Sequence, residues 1–190
     1  MQQYGTSEKA NTAGKGTPVL RIVNIKDGAI NTSELKHIVL PEKTKAGLLL
    51  HEGDVLIIRT SGSRDLVGTC ASFHEKGEFV YASYLIRLRP DPKRLDADFL
   101  AWFLNSPSGR QQVDATSRHI MMNNINMEEI SGFQIPLPPL NVQQKIMKGI
   151  GDHLLRVAEL RGAADKETVR AKDELEELIL GTKKVTQPTK

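Results

Sequence analysis

The sequence has a single cysteine, Cys70, few aromatic residues (5%) and no long hydrophobic run. One cysteine excludes an internal disulfide and a cysteine-rich metal site, and it fits a reducing compartment. No apolar segment approaches the roughly 18 residues of a membrane-spanning helix, and the N-terminus lacks the basic head and apolar core of a secretion signal. These absences predict a cytoplasmic globular protein without a membrane segment.

A strong excess of one charge is also lacking. The chain carries 26 Lys and Arg against 23 Asp and Glu, a net charge of +3, and neither its first 140 residues nor the remainder is strongly basic. This balance permits nucleic-acid binding but does not argue for it, because a basic patch depends on where the charges lie and not on their sum.

No arrangement of residues typical of an enzyme is present. Pro138 and Pro139 lie between two leucines, so they lack the polar side chain found in the Asn/Asp-Pro-Pro-aromatic loop of amino-methyltransferases. The Pro-Asp and Glu-x-Lys combination of nucleases is absent, and the five histidines show no metal-ligand spacing. The sequence therefore predicts a binding module without catalytic residues, a metal site or a cofactor.

The first 139 residues predict a small, β-rich body of the α+β class. Runs of β-branched and other apolar residues, separated by turn residues such as Asp27-Gly28, indicate strands. Residues 55–58 are apolar on both faces, so we expect the central strand of the body here. The predicted strands are 19–25, 38–40, 55–60, 66–73 and 79–90, the last as one long strand or a pair.

Short helices are predicted towards the end of this body. Residues 96–105 carry one apolar stripe, and Asp96 at their start is a suitable N-cap. A further helical turn is expected at 110–113 and a short helix at 127–130.

A proline-rich segment, 133–139, separates this body from one long helix. Its three prolines cannot lie in a helix interior, whereas no further proline occurs before Pro188. We therefore expect a helix over 140–182 with Asn141 as its N-cap, followed by a flexible tail at 183–190.

The long helix repeats its apolar residues every seven positions, which is typical of a coiled coil. At 1.5 Å per residue it extends roughly 60 Å, further than one small domain, so its apolar stripe needs a partner. A solvated helix along its own body is the alternative. The predicted dimerisation residues are Met147, Ile150, Leu154, Val157, Ala164, Ala171, Leu175 and Leu178, and the polar Arg161 and Thr168 occupy the same seam.

Several short motifs follow one another in an informative order. The most specific combination is Phe-Leu-Ala-Trp-Phe-Leu-Asn-Ser at 99–106, then Ile-Pro-Leu-Pro-Pro-Leu at 135–140 and Gln-Gln-Lys-Ile at 143–146. The weaker motifs lie at 4–7, 16–22, 53–57, 59–68 and 124–125. This series covers nearly the whole chain. It resembles one target-recognition domain and its conserved helix from the specificity subunit of type I restriction-modification systems.

The resemblance implies a non-catalytic subunit whose recognition domain (1–139) binds one half of a split double-stranded DNA target. Its long helix (140–182) would pack against a second such helix and act as the spacer between two half-sites. Modification (methyltransferase) subunits, which carry S-adenosylmethionine, and a restriction subunit would assemble on it. The usual subunit has two recognition domains and two helices, whereas this sequence has one of each. It is therefore expected to be a half-subunit that forms a homodimer, or a piece of a longer chain.

Two questions stay open at this stage. The direction of helix pairing, parallel or antiparallel, does not follow from the heptads, and the DNA target is not readable from the residues. Two other function classes also remain: the recognition end of a fused methyltransferase-endonuclease, and a coiled-coil scaffold protein that does not bind DNA.

Candidate DNA-binding residues are selected by chemistry. Phosphates are contacted by Lys and Arg, and base edges by Arg, Asn, Gln, Ser or Thr. A polar, glycine-containing loop that follows a buried strand is a usual place for such residues, although a solvated loop is the alternative for each. The candidates are Arg59, Ser61, Ser63 and Arg64 on this loop, and then Lys15, Arg118, His119, Asn123 and Asn124.

Overall fold

The computed structural model describes residues 1–117 and 124–182 of the chain. Contacts divide the chain into two units, Met1–Gln144 and Lys145–Lys190. The strands are β1 Gln2–Tyr4, β2 Thr17–Leu20, β3 Ile25–Lys26, β4 Ala29–Ile30, β5 Lys36–Ile38, β6 Val55–Ile58, β7 Cys70–Ser72, β8 Val80–Tyr81 and β9 Leu85–Leu88. The helices are α1 Glu42–Leu48, α2 Ala97–Asn105, α3 Pro107–Ser117, α4 Met127–Ser131 and α5 Leu140–Ile179, with 3-10 turns at Ile22–Asn24 and Arg64–Leu66.

The main sheet is antiparallel and has β6 in an interior position. Its strand order is β1-β9-β6-β7, and Leu56 of β6 lies opposite Arg87 on one side and Ala71 on the other. A second sheet has the order β5-β2-β8, in which β2 and β8 are parallel, and β3 and β4 form a hairpin. The predicted α+β class, the central strand and the Asp27-Gly28 turn are confirmed.

The two faces of β6 pack into different hydrophobic cores, which explains why all four of its residues are apolar. Leu56 and Ile58 pack in a core that includes Tyr81 of the second sheet. Val55 and Ile57 pack in another core, which α2 and α3 complete. All four side chains are 0% exposed, and complete burial of one such side chain stabilises a fold by about 1.5–3 kcal/mol. A polar residue at any of these positions would lose this contribution.

Several predicted strands are wrong in extent. The strand expected at 19–25 ends at Leu20, because the Asn24 side chain accepts a hydrogen bond from the Arg21 N–H at 3.0 Å and a 3-10 turn follows. The segment 79–90 is a pair whose members, β8 and β9, belong to different sheets. The strands expected at 38–40 and 66–73 are β5 and β7, which the structure places at Lys36–Ile38 and Cys70–Ser72.

The helices are confirmed in kind but differ at their ends. Asp96 caps α2 as predicted, by accepting a hydrogen bond from the Phe99 N–H at 2.9 Å. Helix α1 was not predicted, and α3 is longer than the expected single turn. Asn141 is not the N-cap of α5, because the Pro139 carbonyl already accepts a hydrogen bond from the Val142 N–H at 2.8 Å and the helix begins at Leu140.

Helix α5 has 40 residues and ends before a left-handed glycine. Gly181 has a φ of +72°, and its N–H donates to the Leu178 carbonyl at 3.2 Å, a capping conformation that glycine adopts without a steric penalty. The helix therefore ends at Ile179 and not at 182, and the expected tail at 183–190 lies outside the described residues. In the described ranges, no helix combines the length and apolar character that crossing a membrane requires.

The first turn of α5 is anchored within the first unit by Gln143, a polar side chain with 0% exposure. Its Oε1 accepts a hydrogen bond from the Asp96 N–H at 2.9 Å. Its Nε2 donates to the carbonyls of Arg94 at 2.9 Å and Pro138 at 2.7 Å. One carboxamide thus joins the start of the helix to the segment before α2 and to the proline-rich segment.

Replacement of Gln143 by leucine should destabilise the first unit. The change leaves one N–H and two carbonyl groups of the main chain without their partner, so we expect a loss of about 2–4 kcal/mol in the free energy of unfolding. Urea denaturation at fixed protein concentration measures it. The neighbouring Gln144 is exposed, so Gln144→Leu is the matched control and should change stability by less than about 0.5 kcal/mol. Equal losses in the two variants would contradict this role of Gln143.

Candidate nucleic-acid interface

The segment that follows β6 forms a loop at one end of the main sheet. The Gly68 N–H donates to the Ile58 carbonyl at 2.8 Å, so the loop leaves the central strand and returns beside it. Between these points Ser63 and Arg64 are exposed, and the Ser63 N–H donates to the Ser61 Oγ at 3.2 Å. The loop therefore presents hydroxyl and guanidinium groups to solvent from the end of a buried strand.

Arg59 is held in place at the base of this loop. Its guanidinium lies over the ring of Tyr4, with 4.7 Å between the guanidinium carbon and the ring centroid, in a cation–π contact. The main-chain N–H of Arg59 donates to the Tyr84 carbonyl at 2.9 Å, and the main-chain carbonyl of Arg59 accepts from the Ile125 N–H at 2.7 Å. Main-chain bonds on both sides and an aromatic ring thus fix the orientation of this cation.

Helix α3 supports the other end of the loop. The Arg110 guanidinium donates to the Val67 carbonyl at 2.5 Å and to the Asp65 carbonyl at 3.2 Å. Gly68 has a φ of +83°, and a Cβ there would lie 2.7 Å from the methyl groups of Val113. Because one end rests on the sheet and the other on a helix, the exposed tip is preorganised for a ligand.

The strand register places further segments at this end of the main sheet. Tyr4 pairs with Ile86 and Ile58 pairs with Leu85, so the chain that follows β1 and the chain that precedes β9 both lie beside the loop. We call this surface the loop edge. It comprises residues 4–7, 59–64, 83–84 and 124.

The structure brings some of the predicted DNA-binding residues together and not others. Asn124 joins the loop, because it pairs with Thr60. Lys15 lies elsewhere, on a loop where the Asn11 side chain donates to the Lys15 carbonyl at 2.9 Å and to the His37 carbonyl at the same distance. Three candidates lie outside the described residues: Arg118, His119 and Asn123.

The cations of the loop edge are not neutralised within the described chain. In the described part of the chain, the arginines that form ion pairs are Arg89, Arg156 and Arg170, and these lie outside the loop edge. No carboxylate of the described residues pairs with Arg59 or Arg64. Two positive charges on a preorganised edge suit a phosphate backbone.

Sequence reasoning missed Tyr84, an exposed residue of this edge. Tyr84 is 56% exposed, although the residues around it in the 79–90 segment are largely buried. Strand alternation could not identify it, because residues 82–84 form the turn between β8 and β9. The small residues Ala82-Ser83 were the available signal for that turn.

Comparison with known proteins agrees with this architecture. The family model described as "Type I restriction modification DNA specificity domain" matches residues 4–161. The chain belongs to this family. The specificity subunit of the type I restriction enzyme StySPI from Salmonella potsdam is 28% identical over 148 residues, which are 77% of this chain and 32% of that protein. The EcoKI specificity subunit from Escherichia coli strain K12 is 27% identical over 149 residues, with the same coverage of 77% and 32%. The chain thus spans about a third of the length of these curated relatives.

Two solved structures share the fold of this specificity domain. A chain of a type I R-M system, from work on its complex assembly and conformational transition, aligns with a TM-score of 0.67 and 23% identity over 95% of this chain and 42% of its own length. The HsdS subunit from Thermoanaerobacter tengcongensis aligns with a TM-score of 0.54 and 20% identity over 86% of this chain and 37% of its own. At these identities the likeness concerns the fold, a mixed α+β body with a long C-terminal helix.

The predicted dimerisation residues lie on α5 of this specificity domain. Leu154, Val157 and Leu175 are 63%, 42% and 58% exposed. Large aliphatic side chains are repeated along one helix face with this exposure. Their contact with water is unfavourable unless another apolar surface covers them.

A separate polar cluster of the specificity domain lies at the opposite end of the main sheet. His74 contacts two carboxylates, Glu52 Oε1 at 2.5 Å from Nδ1 and Asp98 Oδ1 at 2.6 Å from Nε2. The Ser72 hydroxyl also donates to Asp98 Oδ1, at 2.5 Å. Among the described residues, no three His, Cys, Asp or Glu side chains are arranged to hold a metal ion.

The hydrogen bonds of this cluster favour its charged forms. Partial burial lowers the pKa of His74, but its hydrogen bonds to Glu52 and Asp98 outweigh this effect and raise the pKa above its ordinary value. Partial burial raises the pKa of Asp98, but hydrogen bonds from Ser72 and His74 outweigh it and lower the pKa. The raised pKa of His74 and the lowered pKa of Asp98 therefore favour an ion pair between these two side chains.

The interaction of His74 with Asp98 should depend on pH. Its contribution is complete below the ordinary histidine pKa of about 6.5, is lost as the pH rises through the raised pKa of folded His74, and is lost again at low pH as Asp98 is protonated. We expect the coupling energy from a His74→Asn, Asp98→Asn double-mutant cycle to be larger at pH of about 5.5 than at about 8.5. Urea denaturation of the four proteins gives this energy. Equal coupling at both pH values would show that the pair is not ionic.

Proposed function

We propose that the chain is a DNA sequence-recognition part of a type I restriction-modification system and has no catalytic activity of its own. Its loop edge would bind one half-site of a bipartite double-stranded target. Modification and restriction subunits, acting on DNA in the cytoplasm, would supply the chemistry. The family membership favours this function over a fused methyltransferase-endonuclease or a scaffold without DNA binding.

The observation that carries the proposal is the preorganised loop edge. Arg59 and Arg64 lie at the end of the most buried strand, and Arg110 supports the same loop from α3. Cations for the phosphates together with serine and asparagine groups for base edges are the two components that sequence-specific binding requires. A rigid support reduces the entropy that the loop loses on binding.

Helix α5 would form the spacer by pairing with a second such helix, and in this chain we propose a homodimer. The heptads allow an antiparallel pair with complete overlap, in which each residue of one seam position faces a residue of the other. In this register Leu175 faces Ile150, Met147 faces Leu178, and Arg161 faces Ala164. A parallel pair would instead place Arg161 beside its own copy, where like charges repel.

The charges along α5 support the antiparallel direction. Residues 145–161 carry four Lys and Arg against two Asp and Glu, whereas 165–179 carry three against six. An antiparallel pair places the basic half of one helix along the acidic half of the other, and a parallel pair places like charges together. A two-fold symmetric dimer would bind a palindromic split target.

Arg64→Ala should weaken DNA binding by the complex assembled with its modification subunits. Loss of one guanidinium contact is expected to reduce affinity about 3- to 10-fold at moderate salt. Titration of the complex with DNA carrying the sequence that it methylates measures this. Arg94 is exposed and lies before α2, away from the loop edge, so Arg94→Ala is the matched control.

The salt dependence of the Arg64 variant distinguishes two roles. A slope of log affinity against log salt that is smaller by about 1, with unchanged sequence preference, identifies a phosphate contact. Relaxed preference at one base pair identifies a base contact instead. Unchanged affinity would remove Arg64 from the interface.

Helix pairing is tested by the mass of the chain in solution. Light scattering should give a dimer for the wild type and a monomer for Leu154→Glu combined with Leu175→Glu, because both carboxylates would lie in the apolar seam. Leu155 is 67% exposed but lies off the seam, so Leu155→Glu should remain a dimer. A wild-type monomer would refute the homodimer.

Cysteine cross-linking of the same protein determines the direction. In the antiparallel register residue 154 faces residue 171 of the other chain, so the Leu154→Cys, Ala171→Cys double variant should form a covalent dimer. Leu154→Cys alone should cross-link only in a parallel dimer. The native Cys70 is buried and does not interfere.

A further inference from the structure

An apolar cleft lies directly beside the loop edge. Its volume is about 300 Å³, and it lies between the second sheet, the chain that follows β1 and the turn before β9. Aliphatic side chains such as Val19, Ile22 and Val23 line part of it, and Tyr84 is the aromatic residue of its wall. Its lining includes Thr6, Glu8, Arg21, Val23, Ser83 and Tyr84.

Main-chain hydrogen bonds connect this cleft to the 59–64 loop and the chain after β1. The Tyr84 carbonyl accepts the Arg59 N–H at 2.9 Å, and the Ser83 N–H donates to the Thr6 carbonyl at 2.7 Å. A ligand bound at Arg59 would therefore lie close to residue 84, whose side chain is exposed.

The groups that line the cleft are apolar and charged, and they include one cation, Arg21, and one carboxylate, Glu8. Tyr84 is 56% exposed and Val23 is 52% exposed, although both adjoin well-buried strands. Arg21 lines the same cleft, and its terminal nitrogen donates to the Glu34 carbonyl at 3.1 Å, which fixes its guanidinium nearby. Hydroxyl groups of Thr6 and Ser83 complete the rim.

Duplex DNA presents groups that are complementary to these. Phosphates pair with guanidinium and hydroxyl groups, and the one apolar group that a base pair displays in the major groove is the C5-methyl of thymine. A tyrosine ring beside an aliphatic side chain is a suitable contact for that methyl group. The two cations Arg21 and Arg59 outnumber the Glu8 carboxylate that lines the cleft, and this balance favours a phosphate backbone as the ligand.

We propose that Tyr84 is a specificity-determining residue that recognises a thymine of the half-site through its methyl group, with Arg21 contacting the adjacent backbone. This inference rests on the proposed function. It adds a second element of base recognition beside the 59–64 loop and assigns one residue, Tyr84, to one base, thymine.

The sequences methylated by the assembled complex provide the first test. Modification by wild type, Tyr84→Ala and Tyr84→Phe is mapped by sequencing the DNA of cells that express the complex. We expect Tyr84→Ala to lose about tenfold discrimination at one A·T position, the effect of one methyl-sized contact, and Tyr84→Phe to retain it because the ring remains. Trp102 is 44% exposed on α2, so Trp102→Ala is the control and should leave every position unchanged.

Deoxyuridine gives a second test that isolates the methyl group. On the site mapped for the wild type, replacement of that thymine by deoxyuridine should reduce wild-type affinity about tenfold and leave the affinity of Tyr84→Ala unchanged. Equal losses for both proteins, or an unaltered methylation pattern for Tyr84→Ala, would overturn the inference. A Tyr84→Ala complex that has lost a subunit but keeps its sequence preference would also overturn it, because Tyr84 would then contact a protein subunit. A wild-type complex that selects no sequence would refute the proposed function itself, and with it this inference.

Discussion

The fold depends on the burial of a four-residue strand on both of its faces. Leu56 and Ile58 face one core and Val55 and Ile57 face the other, with β9 and β7 paired along the two edges. A strand enclosed in this way cannot slip by one residue, because a slip would exchange the contents of the two cores. The turn before it and the loop after it are therefore fixed in position at opposite ends of the sheet.

This constraint gives the loop edge its character. Residues that follow β6 must leave the sheet at one place, and the register of β1 and β9 brings Tyr4 and Tyr84 to that same place. The Arg59 guanidinium therefore lies over the Tyr4 ring while the Arg59 main chain binds that of Tyr84, and α3 supports the far side of the loop. The candidate DNA-binding side chains are thus exposed on a loop that a rigid sheet and a helix hold in position.

At the start of the long helix a buried polar side chain, Gln143, holds the structure together, in contrast to the apolar burial of β6. Gln143 lies among main-chain groups that the proline-rich segment and the residues before α2 leave without helical or strand partners. Its three hydrogen bonds satisfy these groups and make the first turn of α5 part of the body. Beyond that turn the helix exposes its leucines, so the two parts of one helix serve different purposes. The first turn completes a domain, and the remainder exposes the apolar side chains that we propose a second helix covers.

Local sequence patterns alone indicated the α+β class, the central strand, helix α2 with its Asp96 cap and the existence of the long helix. These features follow from runs of neighbouring residues, whose periodicity and capping chemistry act within a few positions. The contacts of the candidate site could not be inferred in the same way. The pairing of Asn124 with Thr60, the placement of Arg59 over Tyr4, the exposure of Tyr84 and the network of Gln143 each join segments far apart in the chain. Such contacts depend on which strands pair and in which register, and the packing of two cores around β6, rather than any local preference, decides that arrangement.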